Sequence, residues 1–122
     1  MKKILIVDDE PNIVEILQDI LSESGYEFRA AVDGKQAILE ADRYKPDLVL
    51  LDVSLPEGGG GGVFKNLRQS PATRSVPVIF LSAMPAAEIR QMVESDAHSI
   101  VHHKPFKSKE LLELMEKMLQ AV

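Results

Sequence analysis

Ile4-Leu5-Ile6-Val7-Asp8-Asp9-Glu10-Pro11 is the stretch on which the fold turns. Its four consecutive apolar residues read as a strand buried on both faces, the kind that fills a parallel sheet. Acids stop the strand abruptly. Pro11 then opens a helix, because the first helical position needs no amide donor. That helix extends to about Glu23, with Ile13, Ile16, Leu17, Ile20 and Leu21 at i, i+3, i+4, i+7 and i+8 as one inward stripe, and Gly25 supplies a left-handed stop. A strand, an acidic end and an amphipathic helix together make one unit.

The unit recurs along the chain. Glu27 to Val32 reads as a strand, Asp33-Gly34 as a turn, and Lys35 to Tyr44 as a helix with Ala37, Ile38 and Ala41 inward, closed by Pro46. Asp47-Leu48-Val49-Leu50-Leu51 is the most apolar strand, suited to a central position, and it also ends in an acid, Asp52. Val63 to Ser70 reads as a short helix, Pro77 to Ser82 as a strand, Ala86 to Ser95 as a helix and Ser99 to His102 as a fifth strand. Ser108 caps a last helix whose inward stripe is Leu111, Leu112, Met115, Met118, Leu119 and Val122. The expected architecture is α/β, a doubly wound five-stranded parallel sheet in flavodoxin-like order 2-1-3-4-5 with helices on both faces. Gly58 to Gly62 interrupts the rhythm. At about 1 kcal/mol per glycine relative to alanine in a helix, the run predicts a loop, with the helix starting near Val63.

Composition narrows the function classes. The chain has 122 residues, 45% hydrophobic and 27% charged, which fits one globular domain over 1–122. Fourteen basic residues against nineteen acidic give a net charge of −5, a surface that repels phosphate backbones and anionic lipid, so neither nucleic acid nor a membrane is the expected partner. There is no cysteine, which removes thiol and disulfide chemistry. The longest apolar runs are far short of the roughly 20 residues that span a bilayer, and no leader pattern precedes them; the expected location is cytoplasmic.

Ligands of a doubly wound sheet sit where the carboxyl ends of strands meet at the switch in strand order. Those ends carry Asp8 and Asp9, Asp52, Ser82 and, after the fifth strand, Lys104-Pro105. Three acids brought together repel one another unless a cation joins them, and a hard divalent ion suits them better than a proton. Magnesium is the natural candidate. It takes one or two carboxylates and keeps a place for a phosphoryl oxygen, which Lys104 would neutralise and Ser82 would hydrogen-bond. His98, His102 and His103 are not read as ligands, since adjacent residues of a strand point to opposite faces.

At these positions the sequence resembles the receiver domain of two-component response regulators, including the single-domain chemotaxis and sporulation types. Asp8-Asp9 matches the acidic pair, Asp52 the phosphoryl acceptor, Ser82-Ala83 the switch hydroxyl and its small neighbour, and Lys104-Pro105-Phe106 the lysine motif. Pro56 stands four residues after the acceptor, as the family pattern asks. The resemblance implies phosphotransfer to Asp52 from a histidine kinase or phosphotransfer protein, with Mg²⁺ held by Asp9, Asp52 and the Ser54 carbonyl, and by Asp8 at least through water. It also implies self-catalysed phosphoryl acceptance and autodephosphorylation rather than turnover as an enzyme, and an output that alters binding to a downstream protein target, a homodimer being one form left open.

The chain departs from the family pattern at three places. The glycine run replaces the usual stretch before the third helix, with Gly60 at the family's own glycine. Val101 stands where an aromatic is common three residues before the lysine, and Asp96-Ala97 where Gly-Ala precedes the fifth strand. The alternatives to a stand-alone regulator are a receiver module excised from a larger regulator or hybrid kinase, a small aspartyl-phosphate phosphohydrolase, and a scaffold that takes no phosphate. The phosphohydrolase usually wants a second acid two residues after the first, where this chain has Ser54. The scaffold is disfavoured by the complete set of acids, hydroxyl and lysine.

Overall fold

The computed structural model describes residues 1–55, 59–84, 98–104 and 107–120. Five parallel strands form one sheet in the order β2-β1-β3-β4-β5: β1 (Lys3–Val7), β2 (Glu27–Ala31), β3 (Leu48–Asp52), β4 (Val78–Ser82) and β5 (Ser99–His103). The described helices are α1 (Pro11–Glu23), α2 (Gly34–Tyr44), α3 (Gly59–Gln69) and α4 (Ser108–Gln120). The fold expected from the alternation of apolar runs and helical stripes is the one observed. The expected helix over Ala86 to Ser95, Pro56, the Lys104-Pro105 bond, Phe106 and Val122 lie outside the described residues.

Alternation along the central strands builds two cores, one on each face of the sheet. Leu5, Val7, Val49, Leu51, Val78 and Phe80 pack with Ala37, Ala41, Val63, Phe64 and Leu67, which come from α2 and α3. Ile4, Ile6, Leu48, Leu50, Ile79 and Leu81 pack with Leu17 and Leu21 of α1 and Leu111 and Met115 of α4. Both β3 and β4 are buried at every residue, whereas β5, at one edge, is only partly covered.

Caps fall where the residue types ask for them. Asp33 accepts the Gln36 amide at 2.7 Å at the start of α2, while the Gln36 side chain accepts the Val32 amide at 2.8 Å, a reciprocal arrangement that satisfies two orphan donors. Gly25, after α1, has φ +77°.

Two expectations are corrected. Ile16 does not join the inward stripe of α1; it is 48% exposed, because Leu17, Ile20 and Leu21 already fill the contact with the sheet. The glycine run is not a loop up to Val63. Helix α3 begins at Gly59, with Gly60 buried, and the Gly60 amide donates to the Val53 carbonyl at 3.0 Å. Burial of Val63, Phe64 and Leu67 on the sheet, together with that seat on the loop after β3, overrides the poor helix propensity of glycine.

Candidate functional site

The order of the strands reverses between β1 and β3, and the residues just past their carboxyl ends converge there. Asp8 follows β1, held by its amide, which donates to the Ala31 carbonyl at 3.1 Å, and by its Oδ1, which accepts the Glu10 amide at 2.9 Å. That turn, fixed by an aspartate side chain, sends the chain into α1 at Pro11. Asp52 is the last residue of β3. Its Oδ1 accepts the Ser54 amide at 3.1 Å. Lys104 extends the pairing of β4 and β5 by one step, its amide donating to the Ser82 carbonyl at 2.7 Å.

From that edge the lysine reaches across to the acids. Its Nζ lies 3.1 Å from Asp8 Oδ2 and 3.8 Å from both Asp52 Oδ1 and Glu10 Oε1, and its side chain is only 11% exposed. Ser82 is buried, and its hydroxyl oxygen accepts the Met84 amide at 2.9 Å. A hydroxyl that accepts in this way still carries a hydrogen to donate.

Asp8 and Asp52 are buried to 1% and 2% exposure, with the Lys104 ammonium near both and Glu10 close by. Burial, first of all, pushes the Asp52 carboxyl from 3.8 up to about 6; Asp8 and Asp9 push the same way, while the Ser54 amide and Lys104 pull back. The Oδ2 of Asp52 is buried with no hydrogen-bond partner among the described residues. Carboxylate oxygens of Asp8, Glu10 and Asp52 lie within 4.8 Å of one another. A buried carboxylate oxygen without a partner, beside two more carboxylates, is a donor set that fits a hard divalent cation.

The structure thus brings together Asp8, Asp52 and Lys104 and places Ser82 at the end of the neighbouring strand. Asp9 is exposed, as is Ser54, whose amide rather than carbonyl is seen to contact Asp52. Glu10 is the addition. Sequence reasoning takes it only as one of the acids that end the first strand, although its place two residues after Asp8 is the available signal. Among the described residues, the group of three or more potential metal-ligating side chains contains no histidine.

Comparison with known proteins follows the same residues. Residues 4–116 match the family model described as the response regulator receiver domain. DNA-binding response regulator MtrA of Mycolicibacterium smegmatis is 38% identical over 112 residues, covering 91% of this chain and 47% of that protein. Phosphate regulon transcriptional regulatory protein PhoB of Escherichia coli is 33% identical over 99% of this chain and 53% of its own length, so the chain spans about half of these relatives. Among solved structures, a putative response regulator from Chloroflexus aurantiacus is 32% identical with a TM-score of 0.89, covering 98% of each chain. The receiver domain of sensor histidine kinase PA1611 from Pseudomonas aeruginosa, solved with magnesium coordinated in its active site cleft, is 28% identical with a TM-score of 0.90, again over 98% of each chain. With the sheet order, the buried acids and the family match in agreement, the chain belongs to the response regulator receiver domain family.

Proposed function

We propose that residues 1–122 form a single receiver domain that accepts a phosphoryl group on Asp52 from a histidine kinase or phosphotransfer protein and thereby changes its binding to a downstream protein. The observation that carries this reading is the Asp52 carboxylate itself: buried, anchored through Oδ1 by the Ser54 amide, and with Oδ2 left without a partner among the described residues. An anchored carboxylate with one uncommitted oxygen is a positioned nucleophile. In the step, Oδ2 forms a bond to phosphorus as the P–N bond to the donor imidazole breaks, and the pair of electrons leaves with the imidazole. Lys104, within 4 Å of Asp52, neutralises charge on the transferred group, and the Ser82 hydroxyl donates to one of its oxygens. Hydrolysis of the resulting acyl phosphate by water returns the domain to its starting state, so the protein acts as a switch rather than a turnover enzyme.

Mg²⁺ is the cofactor of this reading: Asp8, Asp9, Asp52 and the Ser54 carbonyl would hold it, with the Glu10 carboxylate close to Asp8 and Asp52. When bound, it supplies charge neutralisation and a coordination place for the phosphoryl oxygen. A cytoplasmic location accords with the acidic, cysteine-free composition and with the lack, among the described residues, of a helix long and apolar enough to cross a membrane.

The test is intact mass after incubation with Mg²⁺ and acetyl phosphate. The parent protein should gain the mass of one phosphoryl group, and both EDTA and Asp52→Asn should abolish the gain. Equal labelling of Asp52→Asn would overturn the assignment.

A further inference from the structure

The glycine run is chemically uniform, yet the structure separates the demands on its members. Gly59 has φ +65°, a conformation that side chains other than glycine's rarely adopt. Around Gly62 a Cβ would meet nothing within 4 Å. Gly60 differs from both. A Cβ there would lie 2.5 Å from the Asp52 carbonyl oxygen, 2.9 Å from Val53 Cα and 3.2 Å from the Asp52 carbonyl carbon. All three atoms are backbone, so no side-chain rotation would relieve the overlap, and a methyl group would have to displace either the helix or the end of β3.

The atoms it would displace belong to the acceptor residue and its successor. The Gly60 amide is bonded to the Val53 carbonyl at 3.0 Å, and the Ser54 amide, one residue further, holds Asp52 Oδ1 at 3.1 Å. Helix α3 therefore rests directly on the short stretch of backbone that anchors the Asp52 carboxylate.

We propose that Gly60 is a positioning residue for the phosphoryl acceptor: its missing side chain lets α3 seat on the Asp52–Val53 backbone, and that seat fixes the hydrogen bond from the Ser54 amide to Asp52, leaving Oδ2 directed into the cleft. The proposal rests on the reading of Asp52 as acceptor. Outer contacts that orient a ligating carboxylate commonly change metal affinity when they are disturbed.

Gly60→Ala and Gly62→Ala make the same chemical change two residues apart, and they separate positioning from general helix effects. Gly60→Ala should weaken Mg²⁺ binding by roughly tenfold or more, and in metal-free protein it should remove the protection of the Ser54 amide from hydrogen exchange. Gly62→Ala should leave both unchanged. Because the methyl at position 60 threatens the fold, the substitution is also made in the Gly62→Ala background, where the added helix propensity offsets part of the loss.

A folded Gly60→Ala protein with parental Mg²⁺ affinity and parental Ser54 protection overturns the proposal. Unfolding in both backgrounds also overturns it, since the glycine would then serve the fold as a whole rather than the acceptor. Failure of the phosphotransfer reading looks different: the parent takes up no phosphoryl group from acetyl phosphate, whereas the Ser54 amide comparison is made without metal or donor.

Discussion

Asp52 has its carboxyl raised from 3.8 to about 6, chiefly by burial, and this couples the residue to stability. A raised value means that the folded protein binds the proton more tightly than the unfolded chain, so the contribution of Asp52 favours folding at low pH and is lost as pH rises from about 4 to about 6. Above that range the ionised carboxylate costs roughly 1 to 3 kcal/mol, since each tenfold difference in proton affinity between the folded and unfolded chain is worth about 1.4 kcal/mol. Metal-free Asp52→Asn should therefore be more stable than the parent at about pH 8 and should lose that advantage towards about pH 4. Urea unfolding of both proteins across that range checks it; a difference independent of pH would refute the coupling. Asp8, Asp52, Ser82 and Lys104 can be picked out from the sequence because strand ends are legible from where apolar runs stop. Glu10 is signalled only by its spacing from Asp8, because its approach to Lys104 depends on the turn that Asp8 makes with its own side chain.

The helices show how far local propensity reaches. Helix α1 is readable in its bounds, since Pro11 and Gly25 agree with one another, although Ile16 of the expected stripe stays exposed. The start of helix α3 is not, because glycine propensity summed along the chain contains neither the backbone contact at Gly60 nor the packing of Val63, Phe64 and Leu67. Gly62, outside the positive-φ glycines and with open space where a Cβ would stand, lacks both constraints. Replacing it by alanine should stabilise the protein by about 0.4 to 1 kcal/mol, read as a raised urea midpoint with unchanged slope. The other end of α3 is fastened differently. Arg68 donates to the carbonyls of Val76 at 2.7 Å and His98 at 3.3 Å and lies over the Phe64 ring at 4.7 Å, joining the helix to the starts of β4 and β5. Arg68→Ala should lower stability by about 2 kcal/mol, through unsatisfied carbonyls and the lost ring contact. An unchanged unfolding midpoint would show that water replaces the guanidinium at no cost.

At the scale of the whole molecule, the net charge of −5 and the cluster of carboxylates both favour taking up a cation. A ligand that binds only the folded state stabilises it by about 2.7 kcal/mol at a hundredfold excess over its dissociation constant. Mg²⁺ should therefore raise the thermal midpoint of the parent and raise that of Asp52→Asn much less; equal shifts would point to general screening of the acidic surface. The sheet adds a kinetic dimension. Asp8 and Asp52 stand at the ends of interior strands, while Lys104 follows β5, the partly covered edge. Edge segments open and close more often than interior ones. An opening of β5 that carried Lys104 outwards would leave the acids facing one another without that cation, so electrostatic attraction would act as a latch that shortens the open interval. A bound divalent ion relieves that repulsion and weakens the latch. Amide exchange along Ser99–His103 should then quicken when Mg²⁺ binds, even as the molecule as a whole becomes harder to unfold, and the readiness of this edge to let go would be set by the ionic state of a cleft two strands away.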